Sequence, residues 1–352
     1  MLSVENNGSR HPGKRVVVTG ATGNVGTSVV RALAAEPDIG SVLGLARRKP
    51  ALEITKVEWD TIDLSRADSE DRLAGLLHGA YAVVHLAWRF QPTHDPVVTW
   101  RSNVLGSRRV FDAVARSGVP ALVHASSVGA YSPGPKDEPG VDEQWPTDGW
   151  PDAAYCREKA YLERVLDTFE LRHPQIRVVR MRPGFLFKET AAPEQRRIFA
   201  GRYAPGPLLR PDLLPFVPDL DGLRFQVLHT ADAADAYRLA VLRDVRGPFN
   251  LAADPVIDAR TLADLLDARI VRIPRALVRT ALSAAWRAHA VPASPHLFDA
   301  VLRLPVLDSS RARDVLGWQP TRTAEDALKA FLRGVRTGAG ENTAPLAGRK
   351  TG

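Results

Sequence analysis

Tyr155 and Lys159 stand four residues apart in Ala154–Arg172, a stretch whose pattern predicts a helix stopped by Pro174. Residues at i and i+4 share one face of a helix, so the phenol and the ammonium point the same way. A free tyrosine loses its proton near a pH of about 10. A neighbouring ammonium favours the phenolate, so the pair predicts proton exchange with a substrate oxygen near neutral pH. Ser126 and Ser127 close the expected fifth strand, at the carboxyl edge where open α/β sheets place ligands. Tyr-x-x-x-Lys also occurs on many surface helices, so its weight comes from that serine pair and from a glycine turn at the other end of the domain.

That turn is Thr19-Gly20-Ala-Thr-Gly23-Asn24-Val25-Gly26, with the spacing Gly-x-x-Gly-x-x-Gly. It follows the β-branched run Arg15–Thr19 and precedes a helical stretch, Thr27–Ala35. Glycines allow a tight turn and close backbone approach to a pyrophosphate, and the helix start offers free N–H groups. The spacing differs from the familiar Gly-x-Gly-x-x-Gly fingerprint, so its place between strand and helix carries the reading.

The elements needed to position these groups are legible. Strands are expected at 15–19, 41–46, 56–59, 81–86, 121–125 and 176–181, with helices at 27–35, 95–117 and 154–172. Nearly continuous apolar strands alternating with helices predict a Rossmann-type, doubly wound parallel sheet covered on both faces. Residues 14–185 with 225–252 form the expected dinucleotide-binding domain, 225–252 returning to the main sheet. Residues 186–224 with 253–335 form a smaller, mainly helical substrate lobe. A disordered leader at 1–13 and a flexible Gly-rich tail at 336–352 complete the expectation.

Composition limits the alternatives. The chain has 352 residues, one cysteine (Cys156) and a net charge of +7. The single cysteine excludes an intrachain disulfide, and His85, His94 and His124 lack metal-ligand spacing, so no metal is expected. The absence of a signal-peptide pattern or a long apolar run points to a cytoplasmic protein without a membrane partner. The basic residues are scattered among acids, which argues against nucleic acid and for a small, phosphate-bearing ligand.

With these motifs in order, the chain resembles the extended short-chain dehydrogenase/reductase family, in its NAD-dependent epimerase/dehydratase branch, from residue 15 to about 334. Ile62-Asp63-Leu64, His85-Leu86-Ala87, Asn103-Val104-x-Gly106, Asp142-Glu143-x-x-Pro146, Arg182-Pro183-Gly184 and Leu316-Gly317-Trp318 fit the resemblance. It implies that Ser127 hydrogen-bonds the substrate oxygen, that Tyr155 is the acid/base, and that Lys159 also holds the nicotinamide ribose. It implies cofactor contacts for Asp63, Leu64, Leu86, Ala87, Asn103, Ser126 and Pro183, beside Gly20, Gly23, Asn24, Val25 and Gly26. It also implies a homodimer paired through helices 95–117 and 154–172.

Where an NAD enzyme carries an acid about 20 residues past the turn, this chain has Ala46 followed by Arg47, Arg48 and Lys49. Arginine can fork a 2′-phosphate, so NADP is favoured, with NAD still possible. The substrate lobe departs from the UDP-galactose epimerase pattern, with Arg182 where those enzymes carry Asn and Phe225 where they carry Arg. Arg196, Arg197, Arg202 and Arg210 leave another nucleotide diphosphate open. Trp88, Phe90, Trp100, Trp145 and Trp150 are expected around the cleft, as stacking surface or as ordinary packing. Three functions remain: an NAD(P)-dependent oxidoreductase acting on a secondary alcohol or ketone, a nucleotide-sugar epimerase or dehydratase, and a dinucleotide sensor or scaffold without turnover.

Overall fold

Seven short runs rich in Val, Leu and Ala make one parallel sheet in the computed structural model, which describes residues 13–199, 201 and 216–348. The strands of this sheet are β1 (Lys14–Thr19), β2 (Ile39–Ala46), β3 (Val57–Thr61), β4 (Ala82–His85), β5 (Ala121–Ala125) and β6 (Arg177–Pro183), joined by one later strand. Three more short strands follow β6 in sequence: β7 (Phe185–Phe187), β8 (Phe216–Asp219) and β9 (Phe225–His229). The late strand of the main sheet is β10 (Gly247–Leu251), and β11 (Ala253–Ile257) and β12 (Arg269–Arg272) come after it. The main order is β10-β6-β5-β4-β1-β2-β3, reversing at β1 as a doubly wound sheet does.

Both faces are buried, which is why the strands read as continuous apolar runs. One face packs Val29, Val30 and Leu33 of α1 (Asn24–Ala35) with Ala233, Ala236 and Tyr237 of a later helix, Thr230–Leu242. The other packs Leu73 and Leu77 of α2 (Glu70–Leu77) against the helix pair that follows β4 and β5. The first of that pair runs as α3 (Pro96–Trp100), a π turn (Arg101–Leu105) and α4 (Gly106–Arg116). Asp95 caps its start by accepting from Val97 N and Val98 N, with Pro96 in the first turn, where its missing N–H costs nothing. The second is α5 (Ala154–Arg172), with the bounds its pattern predicted.

Beyond β6 come α6 (Ala192–Phe199), α7 (Thr230–Leu242), α8 (Ala259–Leu266), α9 (Arg275–Arg287), α10 (Pro295–Val301), α11 (Ser310–Asp314) and α12 (Ala324–Thr337). Here two expectations are corrected. The segment 225–252 does not return to the main sheet as a whole: β10 takes the edge beside β6, so β9 pairs instead with β7 and β11 in a separate three-stranded sheet.

The tail is not loose over 338–348. Helix α12 opens on a capping box between Thr323 and Asp326 and ends at left-handed Gly338, φ 71°. The chain then turns back as a strap in which Thr343 and Leu346 are buried. Its glycines, read as a sign of disorder, let the strap close on itself: a Cβ on Gly340 would lie 2.2 Å from Gly348 N. Apart from Gly13, the expected leader lies outside the described residues, as do Arg202 and Arg210.

Candidate active site

A cleft of about 900 Å³ runs along the carboxyl edge of the main sheet, lined from Gly23 and Arg47 at one end to Leu297 and Val301 at the other. It is at the upper end of the ~300–1,000 Å³ usual for small-molecule sites.

The glycine turn forms its floor. Gly20 is left-handed, φ 70°, and a Cβ there would strike Ala87 N at 2.6 Å. A Cβ on Gly23, by contrast, would find only Gly20 O at 3.5 Å. Gly23 is also the N-cap of α1, and no side chain satisfies the helix start. Open space over uncapped N–H groups is the cradle a pyrophosphate needs, so these residues fit a dinucleotide. Asn24, Val25, Leu64, Leu86, Ala87 and Pro183 line the same cleft.

Beside the loop after β2, Arg47 lies near Arg48, Arg89 and Asp63 at the edge of the cleft. Burial lowers the Arg47 pKa, the charges of Arg89 and Arg48 lower it further, and Asp63 opposes them. Burial works against the Asp63 charge, but Ser65 donates to it from both N and Oγ and Arg47 lies nearby, so its carboxyl stays below the usual range.

Tyr155, Lys159 and Ser127 come together where the sequence places them. Ser127 Oγ accepts from Gly129 N at 3.0 Å and lies beside the Tyr155 phenol, whose charged form it favours. Lys159 Nζ donates to Ala125 O at 2.6 Å and sits 3.5 Å from the centre of the Trp88 ring. Phe90 stacks on Tyr155 at 5.0 Å, nearly parallel, and Trp88 meets it edge-on at 5.6 Å.

The expected effect of Lys159 on Tyr155 is corrected. Burial raises the Tyr155 pKa, and the neighbouring Ser127 hydroxyl offsets only part of that. Burial also pulls Lys159 down to about 7, and its Nζ is 6.0 Å from the tyrosine ring centre. The phenol is therefore neutral at neutral pH. Burial likewise lifts the Cys156 thiol to about 12, so it is inert as a nucleophile.

Two of the residues expected to contact cofactor, Asn103 and Ser126, line the cleft and also hydrogen-bond within the protein. The Asn103 side chain, turned by the π turn, accepts from Arg89 N and donates to Arg89 O and Glu158 Oε2. It latches the loop that carries Trp88 and Phe90 rather than offering a free amide. Ser126 Oγ donates to Glu163. Burial disfavours the Glu163 charge, but hydrogen bonds and charge from Arg182, with Arg180 beside it, hold its pKa at about 2.

Arg182 is consequently locked away from the cleft, 3% exposed. Of the expected aromatics, Trp88 and Phe90 line the cleft. Trp100 packs on Tyr161 at the outer surface of the helix pair, while Trp145 and Trp150 pack in small cores behind the cleft, Trp150 in the one that Tyr155 joins.

Sequence reading missed Gly129, Glu194 and the strap. Glu194 lines the cleft near the start of α1, with burial raising its pKa. Ala344 and Pro345 of the strap line the cleft, and Thr343 Oγ1 donates to Thr22 O at 2.9 Å. Asn342 O accepts from Ala51 N, and Arg197 donates to Pro345 O. Only the buried, threonine-anchored geometry reveals this; composition pointed the other way.

A sheet of this order, with a glycine cradle and a Ser-Tyr-Lys cluster at its edge, defines a dinucleotide-binding α/β protein. The model of the NAD dependent epimerase/dehydratase family matches residues 16–252, and the chain belongs to that family. It is similar to two uncharacterized proteins of Mycobacterium tuberculosis. One is 26% identical over 94% of this chain, which spans only 31% of that protein's length. The other is 24% identical over 93% of this chain and 86% of its own. The fold is also that of UDP-glucose 4-epimerase from Thermus thermophilus, solved with NAD, at 19% identity and a TM-score of 0.66 over 92% of this chain and 99% of that one. Among the described residues no group of metal-binding side chains occurs, and no helix is long and apolar enough to cross a membrane.

Proposed function

We propose that the chain is an NADP(H)-linked oxidoreductase that reduces a ketone, or oxidises the matching secondary alcohol. The observation that carries this is the gathering of Ser127, Tyr155 and buried Lys159 on one cleft with the glycine cradle. When bound, the nicotinamide supplies or accepts the hydride. Ser127 and Tyr155 would hold the substrate oxygen, and Tyr155 would give its proton to that oxygen as the carbonyl is reduced. A phenol that is neutral at neutral pH carries the proton that the reduction consumes. Lys159 would position the nicotinamide ribose. Gly20, Gly23, Asn24, Val25 and Gly26 would receive the pyrophosphate, and Pro183 would flank the nicotinamide.

Arg47, Arg48 and Arg89 against the single acid Asp63 support NADP over NAD, because three cations can neutralise a 2′-phosphate that a lone carboxylate would repel. A pairing of two copies through α3–α4 and α5 is supported by Val97, Trp100 and Tyr161, which leave apolar surface exposed on that face.

The test is a titration with NADP(H) and NAD(H) on wild type and Tyr155→Phe. NADPH is expected to bind more tightly than NADH. The variant should lose about 10²–10⁴-fold in kcat while keeping NADPH affinity. Retained turnover in Tyr155→Phe would remove the role assigned to that phenol.

A further inference from the structure

We infer that the chamber beyond Tyr155 takes a bulky, mainly apolar ring ketone or alcohol and not a nucleotide sugar; this rests on the oxidoreductase reading above. The outer part of the cleft is walled by Phe90, Ile198, Phe199, Pro292, Leu297 and Val301. Phe90 lies flat on Tyr155, so a substrate reaching the phenol passes over an aromatic face. The wall is also tied together. Gln91 Nε2 donates to Ile198 O and Pro292 O, Thr93 Oγ1 donates to Pro292 O, and Trp286 Nε1 donates to Thr93 Oγ1. Three separate segments are thereby held in one preformed apolar surface, which is what a ring system needs in order to be bound by exclusion of water.

The charges of the described cleft lie elsewhere. Arg47, Arg48 and Arg89 act on one another beside the loop after β2. Arg89 Nε is further engaged with Gln91 O, Arg197 with Pro345 O of the strap, and Lys159 with Ala125 O. Arg182 is forked onto Glu163 beneath the sheet, and Arg224 pairs with Asp137. Among the described residues of that outer wall a diphosphate would find no lysine or arginine to pair its charges, and burying unpaired charge is strongly unfavourable. A fused-ring ketone meets no such cost.

The experiment uses the full chain with NADPH and two probes, 2-tetralone and UDP-glucose. Binding is read from tryptophan fluorescence and turnover from NADPH oxidation. The expected result is saturable quenching and NADPH oxidation with 2-tetralone, with UDP-glucose failing to compete at tenfold excess. Phe199 is well exposed, so Phe199→Asp is tolerated by the fold; it is expected to weaken 2-tetralone binding about tenfold or more, by setting a carboxylate in the apolar wall, with NADPH affinity unchanged. Leu297→Asp provides a second reading from the opposite wall.

Tighter binding of UDP-glucose than of 2-tetralone would overturn the inference, as would unchanged 2-tetralone binding in both variants. Quenching by 2-tetralone without NADPH oxidation would uphold the apolar chamber and overturn the ketone-reductase reading instead.

Discussion

Lys159 holds its charge against a desolvation cost that the unfolded chain does not carry. Burial brings its pKa from the ordinary 10.5 to about 7 in the folded state. Below pH 7 both states are protonated and the cost is fully present. As pH rises from 7 towards 10.5 the folded state sheds its proton first, so stability rises across that window and the cost disappears above it. The Trp88 face beneath the ammonium offsets part of this by favouring the cation. Lys159→Met should therefore be more heat-stable than wild type near neutral and lower pH, with the gap closing towards a pH of about 10. Turnover should still fall about 100-fold or more. Thermal melts across that range check the sign; a gap that stayed level would mean that another group titrates.

At the scale of elements, the proposed Ser127–Tyr155–Lys159 cluster depends on how β5 ends. The chain leaves the strand through a short turn, Val128–Ala130, that packs under α5. A Cβ on Gly129 would stand 2.6 Å from Tyr155 Cε1. The ring cannot step aside freely, because Phe90 covers one face and Trp88 abuts it. Gly129→Ala is expected to lower kcat about 10–100-fold by displacing the phenol, while NADPH affinity and the circular dichroism spectrum are retained. Undiminished kcat would show that the phenol need not sit where it does.

The sequence revealed β5, α5 and β9 to the residue because their apolar periodicity is strong, and Tyr155 and Lys159 follow from helix geometry alone. Three things were not legible there. A motif shows that Asn103 matters but not that a π turn points its amide at Arg89. Burial, which decides the Tyr155 proton, exists only after folding. Pairing of β9 with β7 depends on β10 having taken the sheet edge.

At the scale of the whole molecule, the strap after Gly338 joins parts that the sheet alone leaves apart. It reaches the glycine turn through Thr343, the loop after β2 through Asn342, and α6 through Pro345. Glu341 pairs with Lys188 and Arg31. Ala344 and Pro345 thereby line the cleft near the glycine turn. A chain ended after Gly338 should keep the seven-stranded sheet but release NADPH about tenfold faster, since contacts that close over a bound ligand act chiefly on its off-rate. Stopped-flow displacement measures this, and an unchanged off-rate would mean that the strap braces the fold without retaining cofactor.

Thr343 and Thr22 lie 321 positions apart, yet one hydrogen bond joins them. Contacts between such distant points form after local ones, because the chain between them must first be ordered. We therefore predict that the strap docks last, on a cradle that has folded open. A chain refolded with NADPH present should emerge already loaded, whereas one refolded without it would have to wait for the roof to lift.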